Sequence, residues 1–247
     1  MMAALLVMTA SAGTAPSESM QPNAWRTFPR VTLWAWESRQ DLRNVSTEKY
    51  AIAYLDRTVF ITDQIETVPR RQPLLVPEDA RVMAVVRIEA PQARAKLDAR
   101  ELAENVANQI VEASRRKQVS ALQIDFDATR SQRSFYRKVI EETRRRMPAK
   151  MALSITALAS WCSRPSWLEG LPVDEAVPML FRMEGDSRFK KEPGWNYEPT
   201  APLCKTSVGV STDEAWPAIT DSTRIYVFHP RAWNPVALEN LEKLITP

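Results

Sequence analysis

Histidine and cysteine are almost missing from this chain: His229 is the one histidine, and Cys162 and Cys204 are the two cysteines, in 247 residues. So few imidazole and thiolate ligands exclude a zinc centre of the usual Cys/His kind. A surplus of charge of one sign is also lacking, since 33 basic and 30 acidic residues leave a net charge of +3. That balance is too slight to imply a nucleic-acid partner. Beyond the first residues, no segment reaches the run of about 18 apolar residues that a membrane-crossing helix needs. What is present is a composition that is 45% hydrophobic, ample for the packed core of one large domain. No cofactor is expected from the sequence.

Residues 1–15 open with an apolar run, Met1 to Met8, followed by small residues, and resemble an export signal without the usual basic leader. Ala10-Ser11-Ala12 supplies an Ala-x-Ala cleavage pattern, so a periplasmic or secreted location is the expectation. In an oxidising compartment Cys162 and Cys204 can form one disulfide; two small buried thiols are the alternative. Residues 16–30, rich in proline, serine and polar groups, read as a linker, and residues 31–247 as a single domain.

The domain is organised around residues 121–130. There Leu122, Ile124 and Phe126 alternate with Gln123, Asp125 and Asp127, so an extended strand sends the apolar set to one face and the polar set to the other. Further strand-like runs occupy residues 31–37, 50–56, 81–89, 151–157, 177–183, 206–210 and 225–228, and helical periodicity appears at 97–117, 131–147 and 235–245. Eight strands, several separated by helices, predict a parallel α/β fold of the (β/α)8 TIM-barrel type. Some connections are too short or too rich in proline for full helices, so a reduced barrel is expected. Val59-Phe60-Ile61 reads as a small hairpin or a cover. The segment 184–205 is long and aperiodic, holds Phe189, Trp195 and Tyr197, and reads as a cover. Cys204, ahead of the seventh strand, belongs nominally to the end of the barrel opposite Cys162, so a bond between them requires that loop to hold Cys204 near the mouth.

Side chains at the carboxyl ends of barrel strands converge on one mouth. Alternation groups Arg87 with Glu89, Asp125 with Asp127, and Arg182 with Glu184, so an Arg-x-Glu pattern stands on either side of Asp-x-Asp. Two neighbouring carboxylates away from bulk water push one another's pKa upward, an arrangement found more often in sites than in cores. The catalytic candidates are therefore Asp125, Asp127, Glu89 and Glu184. Candidates for ligand contact are Arg87, Arg182, Trp36, Glu37, Trp161, Trp195 and His229. The arginines would hold the carboxylates ionised or grip an anionic sugar, and the tryptophans would stack on the apolar faces of sugar rings. Plainer readings stand beside these. The arginines and acids can form a buried ion network, Asp127 can cap the following helix with Thr129 and Ser131, and His229 can be a hydrogen-bonded strand-end residue. No metal is expected, since a Ca²⁺ or Mg²⁺ site needs several converging oxygens.

The stretches LQIDFDATRSQRSFY at 122–136, LSITALASWC at 153–162 and LPVDEAVPMLFRM at 171–183 resemble the bacterial family called domain of unknown function 3142, over a span from about residue 31 to residue 216. That resemblance implies a common grouping of residues and no particular reaction. More distantly, the Asp125-Phe126-Asp127 stretch is similar to the fourth strand of the family 18 chitinases, where alternating aspartates end in a catalytic glutamate. Here Thr129 stands in the glutamate's place, which speaks against substrate-assisted chitinase chemistry. Similarity to other barrel glycosidases implies Asp125 or Asp127 as nucleophile or stabiliser and Glu184, or alternatively Glu89, as the acid. The expectation is an exported glycoside hydrolase-like barrel acting on a carbohydrate or another polar small molecule. Its rival is a non-catalytic glycan-binding or envelope-associated protein on a degenerate barrel.

Overall fold

Strands that are apolar on both faces need cover on both sides, and this chain supplies it by curling the sheet into a cylinder and packing helices outside. The computed structural model describes residues 23–91, 99–183 and 192–245. The barrel strands are β1 (Val31–Ala35), β2 (Tyr50–Ile61), β3 (Val82–Glu89), β4 (Val119–Asp125), β5 (Ala152–Leu158), β6 (Glu175–Met179), β7 (Ser207–Ser211) and β8 (Arg224–Phe228). Each pairs in parallel with the next, and β1 pairs with both β2 and β8, which closes the ring. The eight-stranded parallel barrel expected from the sequence is therefore the observed fold. β2 runs beyond its predicted end, bulges between Leu55 and Arg57, and folds back through an antiparallel segment, Ile65–Pro69. That is the hairpin suggested by Val59-Phe60-Ile61.

Alternation decides which side chain goes where. Leu33, Ile52, Val86, Leu122, Ile124, Ile155 and Val210 point outward into one apolar layer, which they share with the helices. Trp34, Ala51, Met83, Val85, Ala121, Val177, Tyr226 and Phe228 point inward. In the outer layer, α2 (Ala99–Ala113) buries Leu102, Val106 and Ile110, and α3 (Arg133–Arg146) buries Tyr136, Val139 and Ile140. Each such side chain contributes on the order of 1.5–3 kcal/mol when fully buried. α4 (Ala159–Cys162) is a single turn, and α5 (Pro235–Ile245) closes the chain. Between β1 and β2, and between β7 and β8, no helix forms, so the barrel is reduced as expected. Among the described residues no helix is long and apolar enough to cross a membrane.

The stretch read as a linker takes part in the barrel from its described portion onward. The short helix α1 (Asn23–Arg26) leads Trp25 and Phe28 into the interior cluster at the amino-terminal end of the strands. Above them Glu175, fully enclosed, accepts hydrogen bonds from the Tyr226 hydroxyl and from Arg224 Nη2, and the Arg224 guanidinium lies 4.8 Å from the Trp25 ring centroid. At Gly209, on β7, a Cβ atom would come within 2.7 Å of Met179 Sδ, so a side chain there would collide with the neighbouring strand's inward methionine.

Cys162 and Cys204 are bonded, with Cα atoms 5.8 Å apart. The objection from opposite barrel ends fails because neither cysteine belongs to the strand ladder. Cys162 has already turned into the outer layer on α4. Cys204 sits in the 3₁₀ turn Pro202–Cys204, packed outside β6, where Thr200 and Ala201 donate backbone hydrogen bonds to the Cys162 carbonyl. The bond spans 42 residues and ties down a part of the wall where no long helix is seen among the described residues. Replacing both cysteines by serine is expected to lower the unfolding free energy by about 2–4 kcal/mol. Urea denaturation of the two proteins measures this, and coincident midpoints would show that the bond adds nothing to stability.

Candidate active site

At the carboxyl end of the barrel, β3, β4 and β5 bring three polar side chains into a row. Arg87 lies opposite Asp125 in the ladder, and the pairing of Ile124 with Ile155 sets Thr156 beside Asp125 on the other flank. Thr156 Oγ1 donates to Asp125 Oδ1 at 2.8 Å, and Arg87 Nη1 lies 3.6 Å from Asp125 Oδ2. Asp125 is 9% exposed, and burial pushes its carboxyl up to about 6, against the opposing pull of Arg87 and Thr156. Asp127 stands one step further out, past the last residue of the strand. Its carboxyl is raised by burial too, with Arg87 pulling it down and Glu89 pushing it up, and it accepts no hydrogen bond among the described residues. Two acids of unequal burial thus share one arginine.

The row forms one side of a cleft of about 490 Å³, whose lining includes Trp34, Trp36, Arg87, Asp125, Asp127, Phe181, Arg182 and Phe228. Trp36 meets Phe228 edge to face at 6.4 Å, and Phe181 stacks on Phe228 at 5.4 Å. The Arg87 guanidinium lies 5.3 Å from the Trp36 ring centroid, and that of Arg182 lies 5.0 Å from Phe228. A smaller hollow of about 190 Å³ adjoins the cleft, lined by Arg87, Glu89, Asp125, Asp127, Thr129 and Gln132 among others. The cleft accordingly offers apolar ring edges, two guanidinium groups and two carboxyls, a set suited to a polar ligand with apolar faces.

The sequence candidates divide by the alternation of the strands. Trp36, Arg87, Asp125 and Asp127 keep inward parity and line the cleft. Glu89 keeps it as well, but Arg87 Nε donates to its Oε1 at 2.5 Å, and it lines only the smaller hollow. Glu37 and His229 are each one residue off parity. Glu37 is exposed, and His229 Nδ1 pairs with Thr212 Oγ1 at 2.6 Å while its ring packs on Trp233, outside the cleft. Burial lowers the His229 pKa, assisted by Arg231, so the ring is the more readily neutral.

Trp161 corrects the expectation of an aromatic rim. A helical turn begins at Ala159, so Ser160 faces the cleft while Trp161 swings into the outer layer and stacks on Trp167 at 4.3 Å. Trp195 likewise packs against the outer layer and Tyr197, with its Nε1 donating to the Ala215 carbonyl, and does not line the cleft. The described part of its loop is therefore no cover. Arg182 does line the cleft, yet not as a strand residue: β6 stops at Met179, and Arg182 has a φ of 52°. Glu184 lies outside the described residues. Asp127 does not cap the following helix; Thr129 instead caps the 3₁₀ turn Arg130–Gln132 that leads into α3, its amide and hydroxyl both donating to Gln132 Oε1.

Contributors beyond the sequence candidates include Trp34, Thr156, Phe181, Phe228 and Arg70. Thr156 and Phe228 share inward parity with Asp125 and Trp36, a signal that the alternation carries. Arg70 carries none, because its partners are backbone carbonyls. It donates to Trp36 O and Ser38 O, both at 2.5 Å, and to Gln72 O at 2.9 Å, which fixes the turn that presents Trp36 to the cleft. Among the described residues no three His, Cys, Asp or Glu side chains form a group that could hold a metal ion.

Asp125 has a raised folded pKa, so its contribution to stability is fully present below its ordinary value of 3.8 and is lost as pH rises through about 6. The loss is on the order of 3 kcal/mol. Asp125→Asn is expected to melt at a higher temperature than the parent at pH 8, the advantage vanishing near pH 4. A variant that is less stable at pH 8 would show that the Arg87 contact outweighs desolvation.

A comparison with curated proteins finds no match. Among solved structures, the chitinase domain of the spore coat protein CotE from Clostridium difficile is similar at 13% identity and a TM-score of 0.42, over 95% of this chain and 66% of that one. The chain thus spans just under two thirds of that chain's length. Residues 78–181 match the family described as "Domain of unknown function (DUF3142)", a span narrower than the sequence resemblance suggested but one that contains Arg87, Asp125, Asp127, Thr156 and Phe181.

Proposed function

We propose that the cleft binds a carbohydrate chain and cleaves a glycosidic bond, with Asp125 and Asp127 as the acid pair, in a protein that is exported. The observation that carries the reading is the unequal pair at the end of β4: both carboxyls line the aromatic cleft, and the deeper is raised to about 6. Pairs whose environments separate their pKa values divide into proton donor and carboxylate. Asp125, the more readily protonated, donates the proton to the leaving oxygen. Asp127, which accepts no hydrogen bond among the described residues, either attacks the anomeric carbon as the leaving oxygen departs, giving a glycosyl ester that water then hydrolyses, or stabilises the positive charge developing there while water attacks directly. Trp36 and Phe181 supply ring surfaces for the sugar. The disulfide agrees with an oxidising compartment.

A second reading, glycan binding without turnover, draws on Thr129, whose hydroxyl is committed to the Gln132 cap where a chitinase-like site would need an acid. Glycan panels tested both for binding and for released reducing ends separate the two. The first reading expects release whose rate falls as pH rises through about 6, because the protonated form of Asp125 is the active one. It also expects losses of about 10²-fold or more in Asp125→Asn and in Asp127→Asn. Saturable binding with no release assigns the cleft to the second reading, and neither binding nor release removes both.

A further inference from the structure

We infer that the glycan carries a carboxylate, as a uronic acid does, and that Arg182 is the residue that grips it. The inference rests on the carbohydrate reading above and names the substrate class within it.

Among the described residues Arg182 is the one non-glycine residue with a positive φ, 52°, a conformation that side chains adopt at a steric cost. Glycine would sit there without strain. The backbone is held in place from outside, since the Arg182 amide donates to Glu214 Oε1 at 2.9 Å. What the strained position delivers is the guanidinium, which lies over the Phe228 ring and lines the cleft.

The two arginines of the cleft differ in their partners. Arg87 is satisfied by Glu89 and lies close to Asp125, so its charge is already balanced. The Arg182 guanidinium has no carboxylate within ion-pair distance among the described residues, and its side chain is exposed. The group sits over the Phe228 ring with its charge unmatched by a carboxylate among the described residues, and a planar fork of N–H donors matches a carboxylate through two parallel hydrogen bonds.

Position sets the polarity of binding. Phe228 belongs to β8, diametrically opposite β4 in an eight-stranded ring. An acidic ligand is repelled by Asp127 on one wall and drawn to Arg182 on the other, so the uronate lies toward β8 and the bond to be cleaved toward β4.

The test uses paired probes: uronate-containing oligosaccharides, and the same oligosaccharides with each carboxyl reduced to a hydroxymethyl group. Binding is followed by titration calorimetry. The parent protein is expected to bind the acidic member at least tenfold more tightly, with the preference shrinking as salt is raised. Arg182→Gly is expected to lose that preference while melting no lower than the parent, because glycine relieves the backbone; Arg182→Lys should keep part of it. Equal affinity of the parent for both members overturns the inference and leaves the carbohydrate reading standing. An acidic preference that survives in Arg182→Gly overturns the role of Arg182. Failure to bind any member of either series removes the carbohydrate reading and this inference with it.

Discussion

The mouth of this barrel depends on one contact set: a carboxyl drawn out of water at the end of β4 and met, among the described residues, by the Thr156 hydroxyl and the Arg87 guanidinium. Burial raises the free energy of the charged form, and the two partners recover part of it. Because Arg87 also serves Glu89 and faces Asp127, a change in the charge of any one acid is felt by the others through a shared cation. Trp36 lies beneath that cation, and Arg70 pins the turn that holds Trp36. The cleft therefore has a continuous mechanical support running from the β2 hairpin to the acids.

The same chemistry appears at the foot of the barrel with a different outcome. Glu175, Arg224 and Tyr226 form an enclosed ionic cluster, sealed beneath by Trp25 and Phe28. There the carboxylate is fully enclosed and bonded to a hydroxyl and a guanidinium, the condition under which a buried charge is tolerable. At the mouth the cation is divided among three acids and a cleft stands open beside them. Access, more than residue type, separates the structural cluster from the candidate site.

Much of this was legible in the sequence because a closed cylinder makes alternation binding: Leu122 and Ile124 must face helices once Gln123 and Asp125 face the axis. The same rule sorts the site, retaining Trp36 and Asp127 and rejecting Glu37 and His229, provided parity is followed to the last residue. It fails where the strand has ended. The apolar run Met179-Leu180-Phe181 reads as continuing strand, yet the ladder ends near Leu180 and Arg182 enters the left-handed region. Trp161 was misplaced for a related reason, since a single helical turn from Ala159 rotates it by an angle that period-two reasoning cannot supply. Arg70 was invisible because carbonyl acceptors have no residue-type signature.

The cystine across α4 and the turn before β7 has a consequence for a chain that has been cut. Everything from Ser163 to Leu203 lies inside the covalent ring it closes. A protease that severs one peptide link there produces two fragments that stay joined. The eight-membered wall then keeps its sixth and seventh staves in register, and the break becomes visible as separate pieces only after reduction.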